Sequence, residues 1–331
     1  MILITYGTRP EWIKIKPLIE KFKKNNIEHK ILFTGQHENI GIGQYHYALE
    51  IPNREIERLN NIICSILSSN ELESLNPKAV LVQGDTASVL SIALKFYNLR
   101  IPIIHLEAGL RTYDLDNPFP EEAYRQMVSR IAFIHLCPTE NNRINLEQEK
   151  CGGNKYVVGN TVLDNLVDIV PSYNNKVLCT FHRRENHHMI EEWFKELETL
   201  AIDNPNIEFI LPIHPNPNVV KHKNLLKNVN VIEPLEHDKL IDILKDVKLV
   251  ITDSGGIQEE SCFLQKKVIV CRKITERNEK SNHIIICKKP SELKDLFNKN
   301  ISSFEINEPC PYGNGFSSEK IIEILKEQTL I

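Results

Sequence analysis

Short runs of β-branched and aliphatic residues alternate along this chain with amphipathic stretches, and the alternation starts twice. In the first half, residues 2–5, 30–33, 79–82, 103–106 and 156–158 are apolar runs of strand length, and residues 11–24, 58–70 and 88–97 repeat apolar positions at helical spacing. In the second half the strand-length runs are 176–179, 208–211, 229–232, 248–251 and 267–270, with helices expected over 188–202, 237–245 and 257–263. Strands that are apolar on both faces need cover on both faces, and βα alternation supplies it, so the pattern predicts two parallel sheets flanked by helices.

A chain of 331 residues suits two domains better than one core. The polar, turn-rich stretch 171–175 marks the joint. The expected organisation is a first Rossmann-like domain over 1–171, a second over 172–314, and a segment 315–331 whose helix, 318–326, packs back on the first domain. The fold class is α/β, with two Rossmann-like domains facing a cleft. Ligands of such open sheets bind outside the carboxyl ends of the strands, so that is where functional residues are expected.

Composition excludes several alternatives. Hydrophobic residues at 41% and charged residues at 25% are ordinary for a globular protein and argue against disorder. A net charge of -4 argues against a nucleic-acid partner. No run of about 18 apolar residues is present, so no membrane span is expected. The first residues, Met1 to Gly7, are too short and uncharged for a signal peptide and read as a strand. None of the eight cysteines pairs at CxxC spacing, so no metal site is expected, and buried free thiols in a cytoplasmic protein account for them.

Polar clusters fall at the predicted strand ends. Gly7-Thr8-Arg9-Pro10-Glu11 and Lys14 follow the first strand, where a glycine turn and two cations at a helix start suit a phosphate ligand. Gln83-Gly84-Asp85-Thr86 and His105-Leu106-Glu107 follow two more strands, and Glu121-Glu122 follow a proline-framed loop at a helix start. Carboxylates gathered in one place can divide acid and base roles, although one of Glu121 and Glu122 is accounted for by the helix dipole. Arg111 is expected either to pair with these acids or to touch the ligand. In the second half, His182-Arg183-Arg184 after a strand suits an anionic leaving group, whereas His214, in its proline frame, reads as structural and His187 and His188 as exposed helix-start residues. Ser254-Gly255-Gly256, between a strand and a helix, exposes N–H groups at a positive dipole end. Glu260, a turn further on, suits a pair of sugar hydroxyls. The spaced-glycine dinucleotide fingerprint and the Walker lysine are absent. These features describe a diphosphate-sugar site.

The segments GTRPEWIKIKPL, QGDT, HLEAGLRT, PFPEEAYRQMVSR, VGNTVLD, FHRREN, TDSGGIQEE, ITERNE and YGNGFSSEKI run in order from residue 7 to about 323 and resemble those of the non-hydrolysing UDP-N-acetylglucosamine 2-epimerase family. The resemblance implies a GT-B-like fold, interconversion of UDP-GlcNAc and UDP-ManNAc for cell-surface polysaccharide synthesis, no cofactor, a UDP-sugar as the small-molecule partner and a homodimer. It implies anti elimination of UDP to an enzyme-bound 2-acetamidoglucal, followed by re-addition. By motif, Asp85, Glu107, Glu121 and His182 are the catalytic set. Arg9, Lys14, Ser254, Gly255, Gly256, Glu260 and Arg277 are the substrate contacts. Leu240 stands where the family often has phenylalanine, Asn278 where it has proline, and Trp12 where it has a smaller residue. The family's activator site depends on the segment after Gln36-His37; here residues 38–44, with two glycines and few cations, lead through a shortened run to Arg58, which predicts turnover without an activator. Alternatives are epimerisation of a UDP-2,3-diacetamido uronate, the hydrolysing branch (against which Pro10-Glu11 argues), a glycosyltransferase and a non-catalytic sugar-nucleotide sensor.

Overall fold

The computed structural model describes residues 1–331 except 38, 39, 42 and 52–56, and the side chain of Arg184. The chain divides into two compact units, Met1–Asn165 with Gly313–Ile331, and Leu166–Tyr312.

In the first unit the elements are β1 (Ile2–Tyr6), α1 (Arg9–Lys24), β2 (His29–Phe33), β3 (Tyr47–Ala48), α2 (Arg58–Leu67), β4 (Ala79–Gln83), α3 (Ala87–Asn98), β5 (Ile103–Leu106), α4 (Glu121–Ile131), β6 (Ile134–Cys137), α5 (Glu140–Gln148) and β7 (Asn154–Val157). Among the described residues the strands form one parallel sheet in the order β3-β2-β1-β4-β5-β6-β7. Strand alternation sends Ile2, Ile4 and Tyr6 into one core with Ile15, Leu18 and Phe22 of α1, and sends Leu3 into another with Ile62 and Ile66 of α2 and Ile92 of α3.

The second unit contains β8 (Asn174–Thr180), α6 (Ile190–Asp203), β9 (Glu208–Pro212), α7 (Pro217–Val220), β10 (Asn230–Ile232), α8 (His237–Leu244), β11 (Val247–Thr252), α9 (Gly255–Phe263), β12 (Lys267–Cys271), β13 (Ile284–Cys287) and α10 (Leu293–Ile301). Its described strands are also parallel, in the order β10-β9-β8-β11-β12-β13. Phe181, Trp193, Phe194, Phe209 and Phe297 fill the core on one face. In both sheets the strand order reverses beside the first strand, at β1/β4 and at β8/β11. These reversals open the crevices in which doubly wound sheets place their ligands.

The last helix, α11 (Ser317–Glu327), belongs to the first unit. Ile321, Ile322 and Leu325 enter the core that α1 lines, and Lys21 of α1 pairs with Glu319. The helix has no capping side chain of its own. Asp164 takes that part from a distance, accepting from the backbone N–H of Ser317 (3.0 Å) and Ser318 (2.7 Å). All eight cysteines are free thiols, six of them buried, and no helix of the described residues is long and apolar enough to cross a membrane. Removing the distant cap should loosen α11. Asp164→Ala is expected to lower stability by about 1–2 kcal/mol in urea denaturation, the cost of losing an N-cap, with the unfolding slope unchanged.

Candidate active site

At the β1/β4 reversal the capping of α1 does more than start a helix. Thr8 is the N-cap, and Glu11 closes the capping box by accepting from the N–H of Gly7 (2.6 Å) and Thr8 (3.2 Å). The other Glu11 oxygen accepts from the hydroxyl of Thr86 (2.7 Å), the N-cap of α3. One buried carboxylate thus ties the loop bearing Arg9 to the loop bearing Asp85. Burial, opposed by these hydrogen bonds, pushes its pKa up to about 7. Gly7 was expected to serve a tight turn. Its use is close packing, because a Cβ there would lie 2.2 Å from Thr34 Oγ1 and 2.6 Å from Ser88 Oγ.

The register Gln83↔Leu106 brings Asp85 and Glu107 out at neighbouring strand ends. His105, in the middle of β5, donates from Nε2 to the Gly84 carbonyl (2.8 Å) and so fixes the peptide that presents Asp85. Burial holds this ring neutral, with its pKa pushed down to about 3. Glu107 sits in the left-handed region (φ 65°) and is gripped by Lys14, whose Nζ is 2.6 Å from both carboxylate oxygens, and by Gln83. Arg125 of α4 pairs with Asp85 on one side and with Glu122 (3.3 Å) on the other.

Glu121 and Glu122 separate cleanly. Glu122 is fully buried and accepts from the N–H of Thr112 (3.0 Å) and Tyr113 (3.1 Å) and from Gln126 (2.8 Å), so it shapes the loop. Glu121, the first residue of α4, stays partly exposed. Arg111 pairs with neither group of acids; it is buried on Glu149 at 2.7 and 3.0 Å. Lys14, expected as a ligand contact, is spent in this structure on Glu107. Gln36 accepts from Ser88 through both its N–H (3.1 Å) and its hydroxyl (2.8 Å), and Arg58 donates to the Gln36 carbonyl (2.6 Å). In the segment that follows it, Glu38, Asn39, Ile42 and residues 52–56 lie outside the described residues.

At the β8/β11 reversal of the second unit, Thr180 and Thr252 hydroxyls meet at 2.6 Å. Ser254 caps α9, accepting from the Ile257 N–H at 3.4 Å, so the first turn of α9 opens at Gly255 and Gly256. Gly255 lies flat on the Arg277 guanidinium: a Cβ would come within 2.4 Å of its Nη1. Arg277 is itself buried, with Nε 2.5 Å from Glu259 and Nη1 2.5 Å from Glu276. Glu276 also binds Arg272 (2.7 Å) and Arg183 (3.4 Å), and Arg272 binds Glu185 (2.7 Å). Arg277 therefore supports the glycine loop from beneath. Glu260, expected at sugar hydroxyls, is 2.6 Å from His237 Nε2 and buried. His182 follows β8 with its ring centroid 6.2 Å from that of His214, whose Nδ1 accepts from the Asn216 N–H (3.2 Å), a structural contact as expected. His187, expected exposed, has its Nε2 buried.

Sequence reasoning gave no part to Glu11, Gln83, Arg125 or Asp253. The signal for two of them was there: Arg125 stands three residues after Glu122 on one helix face, and Glu11 three after Thr8 in a capping box. Among the described residues no group of three or more His, Cys, Asp or Glu is placed to hold a metal ion.

Two doubly wound parallel sheets with polar side chains gathered at their reversal points define an α/β protein of the class whose ligands bind at such points. The chain belongs to the UDP-N-acetylglucosamine 2-epimerase family, whose model matches residues 20–326. It is 36% identical to a UDP-N-acetylglucosamine 2-epimerase of Campylobacter jejuni, covering 98% of this chain and 97% of that one. That alignment spans 381 positions, more than this chain has, so the relative carries residues without counterpart here. The crystal structure of the Neisseria meningitidis UDP-GlcNAc 2-epimerase bound to UDP-GlcNAc superposes with a TM-score of 0.87 at 32% identity, over 98% of this chain and 99% of that one. The Methanocaldococcus jannaschii enzyme in complex with UDP-GlcNAc and UDP gives a TM-score of 0.80 at 30% identity, over 98% and 99%. The isomerase family and the GT-B-like α/β fold implied by the sequence resemblance are thus established.

The buried Glu11 carboxyl generates a pH test. A folded-state pKa near 7 against an ordinary value of 4.5 means that the folded chain holds a proton which the unfolded chain releases. The stability gained is complete below pH 4.5 and is lost as pH rises through 7. Glu11→Gln keeps the neutral shape and removes the titration. The wild-type stability, measured against this variant by urea unfolding, is expected to fall between pH 4.5 and 7 by on the order of 3 kcal/mol. A pH-independent difference would mean that Glu11 is ionised throughout.

Proposed function

We propose that this enzyme epimerises a UDP-2-acetamido sugar at C2, with UDP-GlcNAc and UDP-ManNAc as the first pair to test, by anti elimination and re-addition of UDP without net hydrolysis. The observation that carries the reading is the grouping of Asp85 and Glu107 at adjacent strand ends of the first unit, each oriented by a cation, in a chain of this family.

The chemistry asks for two things. A positioned base must take the weakly acidic C2 proton while the C2–H electron pair forms the C1=C2 bond and the C1–O bond breaks, UDP leaving with the C1–O pair. The departing diphosphate must then meet positive charge. In the return direction a proton reaches the opposite face of C2 and the UDP oxygen re-adds to C1. Proton transfer on two faces needs more than one group, and Asp85, Glu107 and Glu121 supply it. Lys14 and Gln83 hold Glu107 in one orientation, and Arg125 does the same for Asp85, so a base held this way spends little energy on reorientation in the transition state. The first unit is thus assigned the sugar chemistry, with Arg9 as its diphosphate contact. The second is assigned the nucleotide: Ser254, Gly255 and Gly256 bind phosphate through N–H groups at the start of α9, Glu260 the ribose, and His182 the leaving oxygen.

Proton NMR in D2O is expected to show deuterium at C2 of the product, with no free ManNAc released; product without solvent deuterium would overturn elimination, and free ManNAc would favour hydrolysis. Running a panel of UDP-2-acetamido sugars in the same assay fixes the substrate. Asp85→Asn, Glu107→Gln and Glu121→Gln should each still bind UDP while turnover drops by on the order of 10²-fold or more. Near-normal turnover in any one of them would reduce that residue to a structural part. Gly255→Ala, which pushes a methyl into Arg277, should weaken UDP binding in calorimetry and leave the fold intact.

A further inference from the structure

Asp253 stands in the most specific motif of the second unit without a role in the reading above. It lies between Thr252, the end of β11, and Ser254, the cap of α9, and it is fully buried. Its oxygens accept from the backbone N–H of His182 (3.0 and 3.1 Å), from that of Arg183 (3.0 Å) and from the side-chain amide of Asn186 (3.1 Å). The Nδ1 of His182 lies 3.3 Å from Asp253 Oδ1, within ion-pair reach, while the ring keeps 37% of its surface exposed. The same carboxylate therefore fixes the backbone on which the ring sits and faces one of its two nitrogens.

A carboxylate offers acceptors only, so its charge favours a hydrogen on the nearer ring nitrogen. We propose that Asp253 is a positioning residue for His182: it holds the ring hydrogen on Nδ1, which leaves Nε2 as the one position that gains and loses a proton toward the diphosphate of the substrate. The inference rests on the reading that His182 serves the leaving group. The charged and titratable groups around the ring divide in a telling way. Burial, Arg183, His214 and Arg272 disfavour the imidazolium, and Asp253 favours it. The ring is thus poised as neutral, and a bound diphosphate supplies the negative charge that tips it. With the hydrogen held on Nδ1, the ring can donate from Nε2 only as an imidazolium. It is therefore charged when it faces the departing oxygen.

The test uses the full chain labelled with ¹⁵N-histidine, the His182 signals being assigned by their loss in His182→Gln. In the neutral range the expected spectrum is that of the Nδ1–H tautomer. UDP should raise the pKa of the ring. Asp253→Asn, checked for folding by circular dichroism, should lose the tautomer preference. Its kcat should fall by on the order of 10²-fold or more with a much smaller change in KM. The alkaline limb of its kcat profile should move to lower pH, since a negative charge that favours the imidazolium is gone. A wild-type ring carrying its hydrogen on Nε2 overturns the inference whether or not the variant folds. So does an Asp253→Asn enzyme whose kcat and pH profile match the wild type. The Nδ1–H tautomer combined with normal turnover in His182→Gln would overturn the assignment of His182 itself, and with it any catalytic use of Asp253.

Discussion

Each unit of this enzyme hangs on one buried carboxylate at the point where its strand order reverses. Glu11 accepts from Gly7, Thr8 and Thr86; Asp253 accepts from His182, Arg183 and Asn186. Glu11 takes two donors from its own loop after β1 and one from the loop after β4, and Asp253, after β11, takes its donors from the loop after β8. A doubly wound sheet necessarily leaves a crevice there, and the N–H groups of the strand-end loops that line it have no partner within the sheet. A carboxylate can collect several of them at once. It fixes the loops relative to each other while leaving their outward side chains free for chemistry.

The candidate side chains are built on that fixed base, and most of them are charged pairs. Asp85 is held by Arg125, Glu107 by Lys14 and Gln83, and Arg277 by Glu259 and Glu276. Such pairs add little net stability once desolvation is counted, yet removing one member of a buried pair typically costs about 3–5 kcal/mol. Their return is geometric. A paired carboxylate with two or more donors has one orientation, and proton transfer at a sugar carbon depends on that orientation within fractions of an ångström. The arginines below Gly255 work the same way: Arg277 fills the space a side chain would otherwise take and leaves the helix start bare.

Much of this frame was legible in the sequence, because the strands that matter are long apolar runs bounded by turn residues. All ten predicted strands are present, and α1, α3, α6, α8, α9 and α11 lie within two residues of their expected bounds. What was missed has identifiable causes. β6 is four residues long, sits two residues after α4 and carries His135, a polar residue whose burial is compensated by donation to the Gly152 carbonyl. β13 is an edge strand at the side of the sheet, and β3 has two residues. The candidate acids could be read from their places after strands. Their partners could not, since Lys14 with Glu107 and Arg125 with Asp85 are 93 and 40 residues apart and only the folded register joins them. Arg111 shows the opposite error, a cation in an acidic motif that serves Glu149 instead.

The two units share one topology and differ in the charge placed at its reversal point, and the division of labour proposed for them follows that difference. At β1/β4 the helix start is closed by its own Glu11, so the dipole there is already answered by a carboxylate, and the outward groups are acids steadied by cations. At β8/β11 the buried Asp253 answers the β8 loop instead of the helix. The start of α9 is left with a serine cap and two glycines, short of negative charge. The first arrangement is suited to exchanging protons and keeps phosphate off the helix N–H groups, leaving a diphosphate to the Arg9 side chain. The second is the reverse. On the proposed assignment, the place of that carboxylate, inside the helix cap or one residue before it, separates the acidic crevice from the one open to an anion.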